Sequence, residues 1–128
     1  MTEAQLTIAI LALLFAKHFI ADFVLQFDYM VQQKGIYGAE GGVHHTLMHI
    51  VGTWAVLCWM TNPFIAVFAA LADGLFHYHI DWLKMNINRW RGLTIQDHEF
   101  WVWLGADQLA HSLTYLAITL WAVSHLTS

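Results

Sequence analysis

Four long apolar runs, each broken near one end by ionisable residues, set the pattern of this chain. The first covers about residues 5–27 and is uniformly apolar until His18, Asp22 and Gln26, each four after the last. The second, about 43–60, opens with His44 and His45 and has His49 one turn on. The third, about 64–85, carries Asp73, His77 and Asp81, again four apart. The fourth, about 100–125, carries Asp107 and His111. Residues four apart lie above one another on one helix face, so each run predicts a helix with a polar stripe on an apolar surface. Each is also near the roughly twenty residues that a bilayer core requires. The expected fold is all-α: an integral membrane four-helix bundle, up-down-up-down, in a single domain over residues 1–128.

The connections fit that scheme. Thr2 or Thr7 begins the first helix, and Gly35 is the first strong stop. Gly35, Gly38, Gly41 and Gly42 mark a flexible loop, with Gln32, Gln33 and Lys34 as a short interfacial piece. Thr61-Asn62-Pro63 reads as a tight turn with proline in the first turn of the next helix, which makes the second and third helices an antiparallel hairpin. Residues 86–98 form a second polar loop. The start is short enough for a secretory leader, but it contains Glu3 and no Lys or Arg, and Lys17, His18 and Asp22 stand where a small-residue cleavage site belongs. It reads as an uncleaved first membrane helix.

The polar pairs fall at the C-terminal ends of the first and third runs and the N-terminal ends of the second and fourth. In an up-down bundle those ends share one side, so the four pairs meet at one depth. Lys17, Lys34, Lys84, Arg89 and Arg91 lie at or near the one-two and three-four loops, which places those loops in the cytoplasm and both termini outside.

Composition sharpens the class. The chain is 59% hydrophobic and 11% charged, against about 25% charge in soluble domains. Seven Trp and four Tyr suit the aromatic belts of a bilayer. Five Lys and Arg in all make no nucleic-acid patch. Cys58, the single cysteine, reads as a small buried hydrophobe.

Carboxylates at membrane depth cost roughly 2.5–3.5 kcal/mol each on insertion scales, so a convergence of imidazoles and carboxylates asks for a cation to complete it. Neutral imidazole and carboxylate suit Zn, Mn or Fe(II), with Zn favoured, and the lack of a thiolate set excludes a structural cysteine site. The candidate metal ligands are His18, Asp22, His45, His49, His77, Asp81, Asp107 and His111. Eight donors exceed one tetrahedral ion; they suffice for two metals, or for one metal and the residues that orient its ligands. Asp73 is the candidate general base, Asp107 a second candidate catalytic carboxylate, and Gln26, Gln108 and Lys84 candidate contacts to a substrate head group. His44 and His79 point about 100° and 200° off the stripes: His44 reads as interfacial, His79 as a packing residue or spare ligand. His98 and His125 lie at helix ends, where a solvated or interfacial role is expected.

The segment His18-Phe-Ile-Ala-Asp22-Phe-Val-Leu-Gln26, with Asp28-Tyr-Met and Lys34-Gly35, resembles the N-terminal signature of a bacterial and phage membrane family, domain of unknown function 3307. His45…His49, His77…Asp81-Trp-Leu-Lys84 and Asp107-Gln108…His111 are similar to its later motifs. The resemblance covers nearly the whole chain and implies a four-helix protein of the bacterial inner membrane with a His/Asp centre, in some cases phage-encoded, without implying an activity. Phe27 departs from it, where a small polar residue is expected.

The reading that follows is a metal-dependent membrane hydrolase acting on a lipid-linked or amphiphilic substrate, using one or two divalent ions. The alternatives are an ion or proton transporter, a di-iron or haem redox protein, and a non-enzymatic membrane protein with His–Asp pairs as helix glue. The partners expected are the lipid bilayer, no nucleic acid, and a second copy of the chain through Ala12, Ala16, Ala106 and Ala110.

Overall fold

The computed structural model describes residues 1–126, and among them there are five α-helices and no strand. α1 (Glu3–Phe19) starts where Thr2 and Gln5 cap one another: the Gln5 amide donates to Thr2 Oγ1 and the Thr2 amide to Gln5 Oε1. This reciprocal pair satisfies two N–H groups that a helix start leaves over. α1 runs directly into a π turn, Ile20–Val24, closed by the Leu25 N–H on the Ile20 carbonyl. The first helix therefore ends at Val24, not near residue 27. A π turn re-aims side chains relative to the regular period, and here Asp22 lies buried within it.

The next stretch departs from the expected loop. α2 (Asp28–Gln33) is a short helix that packs on the third. Gly41 allows the contact, because a Cβ there would stand 2.6 Å from the Tyr29 carbonyl. Phe27 occupies the N-cap of α2 and makes no side-chain cap bond. This is the position where the family resemblance leads one to expect a small polar residue, and an N-cap is the place that uses one. Phe27→Ser is expected to stabilise the protein by about 0.5–2 kcal/mol, read as a higher melting temperature in detergent. An unchanged or lower midpoint would show that the α2 start does not need a cap.

α3 (Glu40–Met60) and α4 (Pro63–Trp90) are joined by the predicted turn, where Asn62 Oδ1 accepts from the Ile65 amide at 3.0 Å and Pro63 takes the first helical position. α4 continues five residues past its expected end. Asn86, buried in that extension, donates to the Gly35 carbonyl at 2.9 Å and ties the α2 segment to α4. α5 (His98–Leu126) follows a short loop in which Arg91 donates to Glu99 at 3.0 Å. Hydrogen bonds from Arg91 and then Trp103 hold the Glu99 carboxyl below its ordinary range. That small contribution is present above the unfolded carboxyl's value and is lost as pH falls through the lower folded one.

The long helices pack as a ring, α1 against α3 and α5, α3 against α4, and α4 against α5. Contacts climb one helix as they descend its neighbour: Thr53 meets Asp73 while His45 meets Asp81, and Lys84 meets Asp107 while Asp81 meets His111. Consecutive long helices are thus antiparallel. The interior has two layers. Ile10, Leu14, Leu57, Ile65, Ala66, Ala69, Ile118 and Ala122 form an apolar one. The other is polar and holds His18, Asp22, His45, His49, His77, Asp81, Asp107 and His111, all buried. The outward faces reverse this order, with Phe19, Phe23, Val51, Trp59, Phe68, Leu75, Phe76, Leu109 and Leu113 all exposed. Among the described residues two helical stretches, Glu3–Val24 and Pro63–Trp90, are long and apolar enough to cross a membrane. α3 and α5 have the length, at 21 and 29 residues, but dilute it with the His, Asp, Gln and Ser residues of their inner faces.

Candidate metal centre

The four-residue spacing brings donors from all four long helices to one place. His18 Nε2 lies 3.0 Å from Asp22 Oδ2. His45 Nε2 and His49 Nε2 lie 3.1 and 2.8 Å from the other oxygen, Asp22 Oδ1. His77 Nε2 is 4.0 Å from that same oxygen, 3.3 Å from His45 Nε2 and 3.3 Å from Asp81 Oδ2. His111 Nε2 is 3.2 Å from Asp81 Oδ1 and 3.5 Å from Asp107 Oδ1. Two groups result, Asp22-His45-His49-His77 and His77-Asp81-His111, in each of which the ligand atoms lie within 4.8 Å of one another. His77 belongs to both.

These contacts include ordinary hydrogen bonds, His49 and His45 on Asp22 and His111 on Asp81, and the same atoms are also spaced as metal ligands. A neutral imidazole offers one N–H to one acceptor, yet three Nε2 atoms crowd Asp22 Oδ1 and two of them also face each other. Donors held about 2.0–2.2 Å from a zinc ion at tetrahedral angles stand roughly 3.3 Å apart. The spacings here scatter about that value. The buried groups can therefore hold a metal ion.

Three ammonium groups surround the centre. Lys17 Nζ donates to Asp73 Oδ2 at 3.1 Å, to Tyr115 Oη at 3.0 Å and to His49 Nδ1 at 3.0 Å. Tyr115 in turn meets His18 Nδ1 at 2.8 Å. An ammonium at His49 Nδ1 makes that nitrogen the acceptor and leaves the N–H on Nε2, aimed at Asp22; a metal at that position replaces this proton. Lys34 Nζ lies 3.3 Å from Asp81 Oδ2 and donates to Gln26 Oε1 at 2.9 Å. Lys84 Nζ lies 3.3 Å from Asp107 Oδ2, which also accepts from Gln108 at 3.0 Å. The remaining Asp107 oxygen, Oδ1, has His111 Nε2 at 3.5 Å, and His45 Nδ1 and His77 Nδ1 are buried without a hydrogen-bond partner among the described residues.

Of the eight expected ligands, six fall in the two groups, and His18 and Asp107 stand at their edges, on Asp22 and His111 respectively. Asp73 lies apart from both groups; its Oδ2 accepts from Thr53 and Lys17. Gln108 contacts His18 Nε2 at 3.1 Å. His79 is exposed and bonded to Tyr37 Oη and the Leu75 carbonyl, and His44 pairs with Tyr29, so neither joins the centre. His98 is exposed, and His125 bonds the Trp121 carbonyl.

The lysines are the main departure from the sequence reading. Lys17 and Lys34 were expected as loop charges, but both are buried. Lys17 enters because Gly52 lets its stem lie across α3; a Cβ at Gly52 would stand 2.6 Å from Lys17 Cγ. Lys34 enters because α2 folds back along α3. Tyr115 and Thr53 were not singled out at all, though each continues a four-residue ladder, Asp107-His111-Tyr115 and His45-His49-Thr53.

Two clefts open between the long helices. One, of about 620 Å³ between α1 and α3, is apolar except for the Lys17 stem. The other, of about 140 Å³ between α4 and α5, has Lys84 and Asp107 in its wall.

Residues 10–128 match a family model described as "Protein of unknown function (DUF3307)". No curated protein and no solved structure matches the chain.

Proposed function

The chain belongs to that family, whose description names no activity, and we propose from its own buried side chains that it is a membrane-embedded, metal-dependent hydrolase. Its four long helices form a bundle that spans the bacterial inner membrane, with the metal centre toward the cytoplasmic side. It cleaves a lipid-linked or otherwise amphiphilic substrate. The observation that carries this reading is the convergence of four imidazoles (His45, His49, His77 and His111) and the Asp22 and Asp81 carboxylates, from the π turn after α1 and from α3, α4 and α5, at metal-ligand spacing, with His18 at the edge.

Membrane embedding is supported by the inside-out distribution of polarity. Ionisable residues in membrane helices face the interior and pair with one another, as they do here, while the outward faces are apolar. With Lys17, Lys34 and Lys84 turned inward, Arg89 in the last turn of α4 and Arg91 at its C-cap are the cations left at the α4–α5 connection. They favour a cytoplasmic position for that loop and an outside position for both termini.

The donor set is nitrogen and carboxylate oxygen, which suits Zn, with Mn and Fe(II) as competitors. A divalent ion held there supplies a Lewis acid and a hydroxide at neutral pH. The residues do the rest. His77 links the two ligand groups. Asp81 offers one oxygen to each side, Oδ2 to His77 and His45, Oδ1 to His111. Asp107, whose Oδ1 faces His111 Nε2 at 3.5 Å and which has a place in the wall of the α4–α5 cleft, is positioned to take a proton from an incoming water. Asp73 positions Lys17, and through it His49 and Tyr115. Transport is disfavoured because the apolar layer of Ile10, Leu14, Leu57 and Ile118 closes the other half of the interior.

The test is elemental analysis and an absorption spectrum on one detergent-purified sample, followed by hydrolysis assays on amphiphilic esters with and without chelator. One or two equivalents of a colourless ion, with hydrolysis abolished by the chelator and restored by the metal, is the expected result. Visible bands would replace hydrolysis by redox chemistry, and a folded protein without metal would remove the centre.

A further inference from the structure

Charge balance says what the loaded centre binds. Four buried carboxylates (Asp22, Asp73, Asp81 and Asp107) face three ammonium groups in this layer, Lys17 and Lys34 buried and Lys84 half-buried. With neutral imidazoles the layer carries one excess negative charge. One divalent ion converts this to one excess positive charge, and two ions to three. A buried net charge is costly unless it is paired.

The lysines show where the compensating anion goes. Lys34 faces Asp81 Oδ2, the oxygen that His45 and His77 also approach at 3.4 and 3.3 Å. A metal held by Asp81 would compete with Lys34 for this carboxylate. Lys84 faces Asp107 Oδ2 in the wall of the α4–α5 cleft. Lys17 differs, because Asp73 lies outside both ligand groups and keeps it paired, and Asp107, also outside them, does the same for Lys84. A metal held by these groups would therefore free Lys34 for a new acceptor, while Lys84, half-buried in the wall of the α4–α5 cleft, can be reached there without leaving Asp107. Gln26, on Lys34, and Gln108, on Asp107, add amide donors beside them.

We propose that the metal-loaded centre takes a phosphate group, as a phosphate or diphosphate ester, with Lys34 and Lys84 as its ammonium contacts. This rests on the metal reading above and names the class of head group. A multiply charged tetrahedral anion matches a surplus of up to three charges, which a carboxylic ester does not. Lysine is well suited to phosphate as a compact point charge.

The experiment is calorimetric titration of inorganic phosphate into detergent-solubilised protein, before and after loading with Zn or Mn, with metal content measured on each sample. The loaded wild type is expected to bind phosphate at least about tenfold more tightly than the metal-free form. Lys34→Met and Lys84→Met are each expected to weaken binding by about tenfold, the worth of one charge-assisted hydrogen bond, at unchanged metal content. Lys→Arg at either position should retain most of the affinity. Phosphatidic acid micelles that compete with inorganic phosphate would identify a lipid phosphate, and phosphate binding without that competition a soluble ester; both support the proposal. A protein that loads metal but binds no phosphate, or binds it equally in both Met variants, overturns this inference and leaves the metal centre standing. A protein that loads no metal overturns both.

Discussion

His77→Ala is expected to lower bound metal at least tenfold and to abolish hydrolysis, whichever of the two ligand groups is occupied. His77 is the only residue common to Asp22-His45-His49-His77 and His77-Asp81-His111, so its loss removes a donor from both. Changing a group one step outside a metal's ligands typically costs 10–100-fold in affinity; removing a ligand costs at least that. The matched control is His79→Ala. His79 lies two residues away on α4 but is exposed and bonded to Tyr37, and its removal should leave the metal in place. His45→Ala separates one ion from two: with two ions occupied it removes one equivalent and leaves the His77-Asp81-His111 group loaded. Full metal content in His77→Ala would contradict the shared position, and equal losses in His77→Ala and His79→Ala would point to damage to the fold.

What could be read in the sequence followed helix geometry. His and Asp four apart must share a face, and a polar face on an apolar run must turn inward, so the stripes of α3, α4 and α5 and their common depth were legible before any coordinates. Asp22 was legible as a partner of His18, but the π turn that carries it was not, since nothing in Ile20–Val24 distinguishes a wider turn from a regular one. The lysines were misread for a related reason. Periodicity assigns a residue to a face; it does not say that a neighbouring helix covers that face. Lys17 lies beside the His18 stripe, not on it, and only the close approach permitted at Gly52 buries it. Lys34 follows a helix too short to show a period. Tyr115 and Thr53 could have been found by continuing the four-residue ladders past the ionisable residues, since a hydroxyl on the same line falls in the same interior.

Lys17 and Asp73 provide the second large effect, because they are buried and bound chiefly to each other. Lys17 Nζ is 3.1 Å from Asp73 Oδ2, with the two side chains 8% and 1% exposed. Removing one partner of such a pair leaves an uncompensated buried charge and costs about 3–5 kcal/mol, whereas replacing both by apolar groups of similar size is often neutral. Asp73→Asn and Lys17→Met are each expected to lower the melting temperature in detergent by on the order of 10–20 °C. The double variant should recover most of that loss. Activity separates the roles that remain for Asp73. If it only positions Lys17, the double variant regains both its metal content and part of its activity, because Asp22, Asp81 and the five imidazoles are intact. If Asp73 is itself the general base, the double variant melts like the wild type, binds metal and loses most of its activity, and the pH–rate profile of what remains lacks its acidic limb in every variant without Asp73. A double variant as unstable as either single one would mean that the pair is not the unit, and that the hydrogen bonds of Lys17 to His49 and Tyr115 carry the stability instead.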